Sequence, residues 1–130
     1  MKIKNWMIGG AVICVFFGLG FSMMPATMLA FYGSAADPVG MVMARFFGSA
    51  FVTLGLLMWF ARNTTEPATQ RAFALAAFVG NSIGFIVALI FQMSGIPNAL
   101  GWSTVTLYLI FALGFGYFLI PGSDKAPGLE

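Results

Sequence analysis

The sequence predicts an all-α fold: an integral membrane four-helix bundle with both termini in the cytoplasm. Three observations predict it. Of the 130 residues, 60% are apolar and only 8% are charged, too few polar groups to cover a soluble domain with a water-facing surface. The apolar residues fall into four long runs, at about 6–24, 39–61, 72–93 and 102–120. The charges, six basic and four acidic, sit almost entirely in the short stretches between those runs. Residues 1–130 are read as a single transmembrane domain.

Each run reaches the ~20 residues that an α-helix needs to cross a ~30 Å hydrocarbon core. The runs are continuously apolar and lack the alternation of a transmembrane strand, and helices satisfy all their backbone groups internally. The first run follows Lys2 and Lys4 and ends at Pro25. It is read as a retained helix rather than a cleaved leader, because it is long for one and no small-x-small site follows. Asp37-Pro38 reads as an N-cap followed by proline at the first helical position of the second span. Asn63-Thr64-Thr65-Glu66-Pro67 is the polar turn before the third. Gly95-Ile96-Pro97-Asn98 breaks the chain before the fourth, and Pro121-Gly122 ends it. Trp6, Trp59, Trp102 and Tyr117 lie near span ends, the depth that amphipathic rings prefer.

Orientation follows from the basic residues. Lys2, Lys4, Arg62, Arg71 and Lys125 all flank the spans on one side, whereas the first loop carries only Asp37 and the third has no charge. Positive-inside counting places that basic side, with both termini, in the cytoplasm. A bacterial inner membrane is the expected location.

Composition excludes several functions. The chain has no histidine and one cysteine, Cys14, so haem, zinc and iron–sulfur ligation lack their usual donors. Nine methionines are present, but they have no ligand-like spacing and read as apolar packing. No cofactor and no metal are expected. The carboxylates Asp37, Glu66, Asp124 and Glu130 lie in loops or the tail, and no serine or cysteine has a histidine partner, so no enzyme is expected. The net charge of +2 leaves no footprint for nucleic acid. No acidic residue lies within a span, where proton-coupled carriers usually place one. Small four-helix multidrug antiporters carry such a glutamate in their first helix.

The candidate functional residues are few. Gly10, Cys14, Gly18 and Ser22 form an i, i+4 stripe of small residues in the first span, and Ala72, Ala76, Gly80, Gly84 and Ala88 form another in the third. Small residues allow helix backbones to approach closely in lipid, so Gly10, Gly18, Ala76, Gly80, Gly84 and Ala88 are read as helix-packing positions, with the third span making the tightest contacts. Arg45 is the one charge expected within a span, ~10 Å along the second helix, with Ser49 and Thr53 continuing its face. Asp37, a helix-end carbonyl or a lipid phosphate are its candidate partners. A structural, snorkelling arginine is preferred over an anion or lipid-headgroup site. Asn81 and Gln92 share a face of the third span, and with Arg45, Ser49, Thr53 and Tyr108 they are candidates to line a shallow polar cavity.

Pro25…Phe31-Tyr32-Gly33 after the first span, Ala44-Arg45-Phe46-Phe47-Gly48 opening the second and the short basic second loop resemble small bacterial four-helix inner-membrane proteins of the DoxX-like type. That resemblance covers most of the chain, brings no catalytic residues and implies at most an association with respiratory or redox assemblies. The reading is a non-enzymatic membrane protein whose partners are the lipid bilayer and either other membrane subunits or further copies of itself. The alternatives are a small transporter or channel for an anionic or lipid ligand using Arg45, and a quinone- or lipid-handling redox accessory. In a background lacking Cys14, a cysteine placed at Asn98 is expected to react with an impermeant maleimide only from the non-cytoplasmic side; labelling from the cytoplasmic side alone reverses the topology.

Overall fold

A computed structural model describes residues 2–35, 37–94 and 99–122. They form α1 (Ile3–Met23), α2 (Pro25–Phe31), α3 (Pro38–Ala61), α4 (Pro67–Met93) and α5 (Ala99–Tyr117). The fold is all-α, and α1, α3, α4 and α5 are long and apolar enough to cross a membrane. The third loop at 95–98 and the tail with Asp124, Lys125 and Glu130 lie outside the described residues.

The helix ends follow local chemistry. Asp37 Oδ1 accepts the Gly40 N–H at 2.6 Å, the N-cap bond expected ahead of Pro38. Pro67 opens α4 after an extended Glu66, whose carboxylate accepts the Thr69 hydroxyl. The helix therefore starts about a turn earlier than the apolar run, because polar first-turn residues propagate a helix without belonging to its buried stretch. The last span stops at Tyr117. Phe118, Leu119 and Ile120 N–H groups bond three residues back, to Phe115, Gly116 and Tyr117, a tightening that ends the helix.

The short helix α2 was not expected. Pro25 supplies a fixed φ at its first position and has no N–H to continue α1. At the other end Gly33 takes φ 74°, its N–H bonds Ala30 O at 2.9 Å and the Ser34 N–H bonds Leu29 O at 3.0 Å. This is a Schellman ending, which needs the left-handed region that glycine enters freely.

The chain falls into two compact units. In the unit Met7–Ala61, α1 and α3 are held at contact by glycines. A Cβ on Gly18 would stand 2.7 Å from Val52 N and 2.8 Å from Gly48 O, and one on Gly48 would meet Gly18 O and Ser22. Gly55 repeats the pattern two turns on, 2.9 Å from Ala11 O. Here backbone meets backbone. Above that crossing Phe21, Met28 and Ala44 form a buried cluster joined by Phe17, Leu29 and Tyr32, so α2 packs its Met28 against the start of α3. Phe21 stacks on Tyr32 and meets Phe47 edge-on.

The other unit comprises Met1–Trp6 and Arg62–Glu130, and its core is the antiparallel α4–α5 pair. Along α5, Gly101, Val105, Ala112, Gly114 and Phe115 are buried. Small residues here receive large rings: Trp6 lies on Gly114, Phe78 on Gly116 and Tyr108 on Gly84. Trp6 also meets Phe111 edge-on at 5.6 Å.

These contacts correct part of the packing expectation. Gly10 and Gly18 are buried, and Gly84 and Ala88 are half-buried on the inner side of α4. Ala76 and Gly80, however, are exposed, and nothing lies within 4 Å of a Cβ on Gly80. The inner face of α4 runs through Ala74, Ala77, Asn81, Phe85 and Gln92 instead. The reason is geometric: five small residues spaced by four drift around a 3.6-residue helix, so only the later ones reach the α5 side. Backbone meets backbone at Gly18, Gly48 and Gly55, whereas Gly84 of the third span meets the Tyr108 ring. Gly18→Ala and Gly48→Ala are therefore expected to lower stability in detergent by about 1–3 kcal/mol through overpacking. Gly80→Ala should be neutral or slightly stabilising, within about 1 kcal/mol; thermal unfolding followed by circular dichroism measures all three.

Candidate functional site

The polar candidates fall into two groups, one in each unit. On α3, Arg45, Ser49 and Thr53 stand one turn apart on an exposed face. Arg45 NH1 donates to Ser22 O at 3.2 Å. Ser22 is the second-last residue of α1, where carbonyls run out of intrahelical partners, and a cation there is favoured by the helix dipole. Of the partners considered for Arg45, the helix-end carbonyl is thus the one in contact. Asp37 serves instead as the α3 cap. Within this chain the Arg45 side chain is exposed. The Thr53 hydroxyl returns to its own helix, donating to Ser49 O at 3.1 Å.

In the other unit Asn81, Gln92 and Tyr108 lie on the facing sides of α4 and α5. Asn81 is half-buried and its Nδ2 donates to Ala77 O at 2.7 Å. Gln92 is 3% exposed, the one buried polar side chain named among the described residues. Tyr108 is half-buried with its ring over Gly84. Around Asn81, the α4 residues Ala77, Gly84 and Phe85 are half-buried and small or apolar, so Asn81 sits in helix packing.

Two hollows accompany these groups. A shallow, open one of about 470 Å³ runs along α5, lined by Ala99, Trp102, Ser103, Thr106 and Leu107. Its hydroxyls are turned inward: Ser103 donates to Ala99 O and Thr106 to Trp102 O. The second, about 20 Å³, lies among Ile3, Pro67, Gln70, Arg71 and Phe118, space on the scale of one water. Neither contains a candidate named from the sequence; Trp102 was read only as a span-end anchor. Among the described residues no group of three or more His, Cys, Asp and Glu converges as metal ligands would.

Among the described residues, five helices, four of them span-length, with polar groups bonded mostly to helix backbone, define a small multi-pass membrane protein. Residues 8–123 match the model of a family described as a domain of unknown function (DUF8292), and the chain belongs to that family. No curated protein matches it, and no solved structure does.

Burial ranks the polar side chains. Gln92→Ala is expected to cost about 2 kcal/mol, since it opens a cavity between packed helices. Asn81→Ala should cost under about 1 kcal/mol, because its hydrogen bond is local and half-exposed. Unfolding by dodecyl sulfate in mixed micelles compares the two.

Proposed function

We propose that this protein is a non-enzymatic subunit of a membrane assembly, either accessory to other membrane proteins or self-assembled. It would reside in a bacterial cytoplasmic membrane with both termini inside. The observation that carries the reading is the outer face of α4. Only 6% of its apolar window is buried, against 22–28% for the other spans. Ala68, Ala72, Ala76 and Gly80 are all exposed along α4 at four-residue spacing, a row of small residues that winds ~120° about the helix over ~18 Å and leaves a shallow groove between larger side chains. Lipid chains fill such a groove poorly, whereas a second helix can approach it closely and gain dispersion contacts along its length.

The chemistry available also favours assembly over reaction. Among the described residues Thr53, Asn81, Ser103, Thr104 and Thr106 donate to their own helices and Asp37 caps α3, an arrangement of helix packing rather than of paired acid and base groups. The resemblance to DoxX-like membrane proteins supports the same reading.

Gly80→Leu tests it. The open space around Gly80 accepts leucine, so helicity and thermal stability are expected to stay as in the wild type. The particle mass in mild detergent should fall toward that of one chain, because the new side chain blocks backbone approach. A wild-type protein that runs as a single chain with nothing co-purifying overturns the proposal. Gly84→Leu serves as the contrast: it collides with the Tyr108 ring and should damage the fold itself.

A further inference from the structure

We infer that Arg45 binds the phosphate of a phospholipid headgroup, in the leaflet at the C-terminal end of α1. Depth is the first ground. The 24 residues of α3 span ~36 Å, against a hydrocarbon core of ~30 Å. Arg45 lies seven residues after Pro38, ~10 Å along the helix; with the ~6 Å excess shared between the two ends its Cα sits roughly 7 Å inside the apolar layer. Helical side chains lean toward the N-terminus of their helix, which for α3 is the nearer membrane surface. The long stem therefore lies along apolar surface while the guanidinium rises to headgroup level.

The donor count is the second ground. Ser22 O takes one N–H of the guanidinium and fixes the group where α1 leaves the membrane. The planar fork has further donors, and the side chain is exposed, so they point away from the α1–α3 pair. A cation cannot leave those donors in hydrocarbon without cost. Asp37 is ill placed to accept them: its Oδ1 holds the α3 cap, and it lies eight residues away, ~12 Å along the helix. The anion present at this depth throughout a bilayer is lipid phosphate, whose oxygens match the fork in bidentate fashion. Beside Arg45, exposed Val42, one turn earlier, and Phe46, the next residue, offer an apolar surface for the acyl chains of the same lipid.

Delipidated wild-type protein in mild detergent should be titrated with phosphatidylglycerol, diacylglycerol and inorganic phosphate, reading bound lipid by native mass spectrometry and the melting temperature in parallel. Phosphatidylglycerol is expected to bind and raise the melting temperature, while diacylglycerol, which lacks the phosphate, does neither. Inorganic phosphate should not substitute; equal stabilisation by it overturns the lipid assignment, and equal binding of diacylglycerol overturns the role of phosphate. Arg45→Gln keeps a donor for Ser22 O without the charge and should weaken phosphatidylglycerol binding about tenfold, the loss of one charge-assisted interaction; Arg45→Lys should recover part of it. Unchanged binding in Arg45→Gln overturns the proposal. A photo-crosslinker at Phe46 in native membranes is expected to capture lipid. Exclusive capture of another polypeptide there overturns it as well, and this readout does not depend on the folding of any Arg45 variant.

Discussion

Hydrogen bonding that stays within each helix is the constraint on which the remaining architecture depends. Thr53, Asn81, Ser103, Thr104 and Thr106 each donate to the carbonyl four residues back. A polar side chain satisfied by its own helix exerts little pull on a neighbour. In lipid the hydrophobic effect does not drive helices together either. What remains is shape. In the α1–α3 pair the shape is set by Gly18, Gly48 and Gly55, where the absence of a side chain lets one backbone rest on the other. In the α4–α5 pair it is set by aromatic rings that fill the recesses at Gly84, Gly114 and Gly116. Backbone contact and ring insertion answer the same problem in two ways.

Arg45 departs from this rule, since its bond crosses to another helix. Its acceptor is a terminal carbonyl of α1, a group that the following Pro25 helps to leave without a continuing helix. The arginine and the proline belong to one arrangement: the helix is stopped by a residue that cannot donate, and an exposed carbonyl is then answered by a residue that can only donate.

Much of this was legible in the sequence, for identifiable reasons. Span number and class follow from continuous apolar runs, a signal that no local packing choice can erase. The α3 start was legible because Asp37-Pro38 encodes a cap by itself. In the α1 stripe Gly10 and Gly18 are buried, and Gly18 rests on α3. The stripe in α4 misled because small residues at constant spacing mark two faces of a helix, and only the position of α5 decides between them. Gly48 and Gly55 carry backbone contacts with α1 yet stood out less, because phenylalanines and leucines separate them. Recognising them required the partner stripe Gly10–Gly18 to be matched to α3. The exposure of Arg45 was not legible either, because depth along a helix is written in the sequence and rotation about it is not. Seven residues were too few for α2 to show a period, although Pro25 and Gly33 bracket it with the punctuation of a helix.

That bracket has a mechanical consequence. Between the end of α2 and the start of α3 only residues 32–37 remain, a tether of at most ~20 Å when fully extended. Proline sets how the chain enters α2, glycine sets how it leaves, and Met28 fastens the middle to Phe21 and Ala44. As far as Ser34 the connection is thus folded chain of set length rather than slack. Sliding α3 along α1 by a helical turn, ~5.4 Å, would pull on that connection before it strained either span. Loss of register between the two helices would thereby strain the seven-residue α2 and the packing of its Met28 on Phe21 and Ala44.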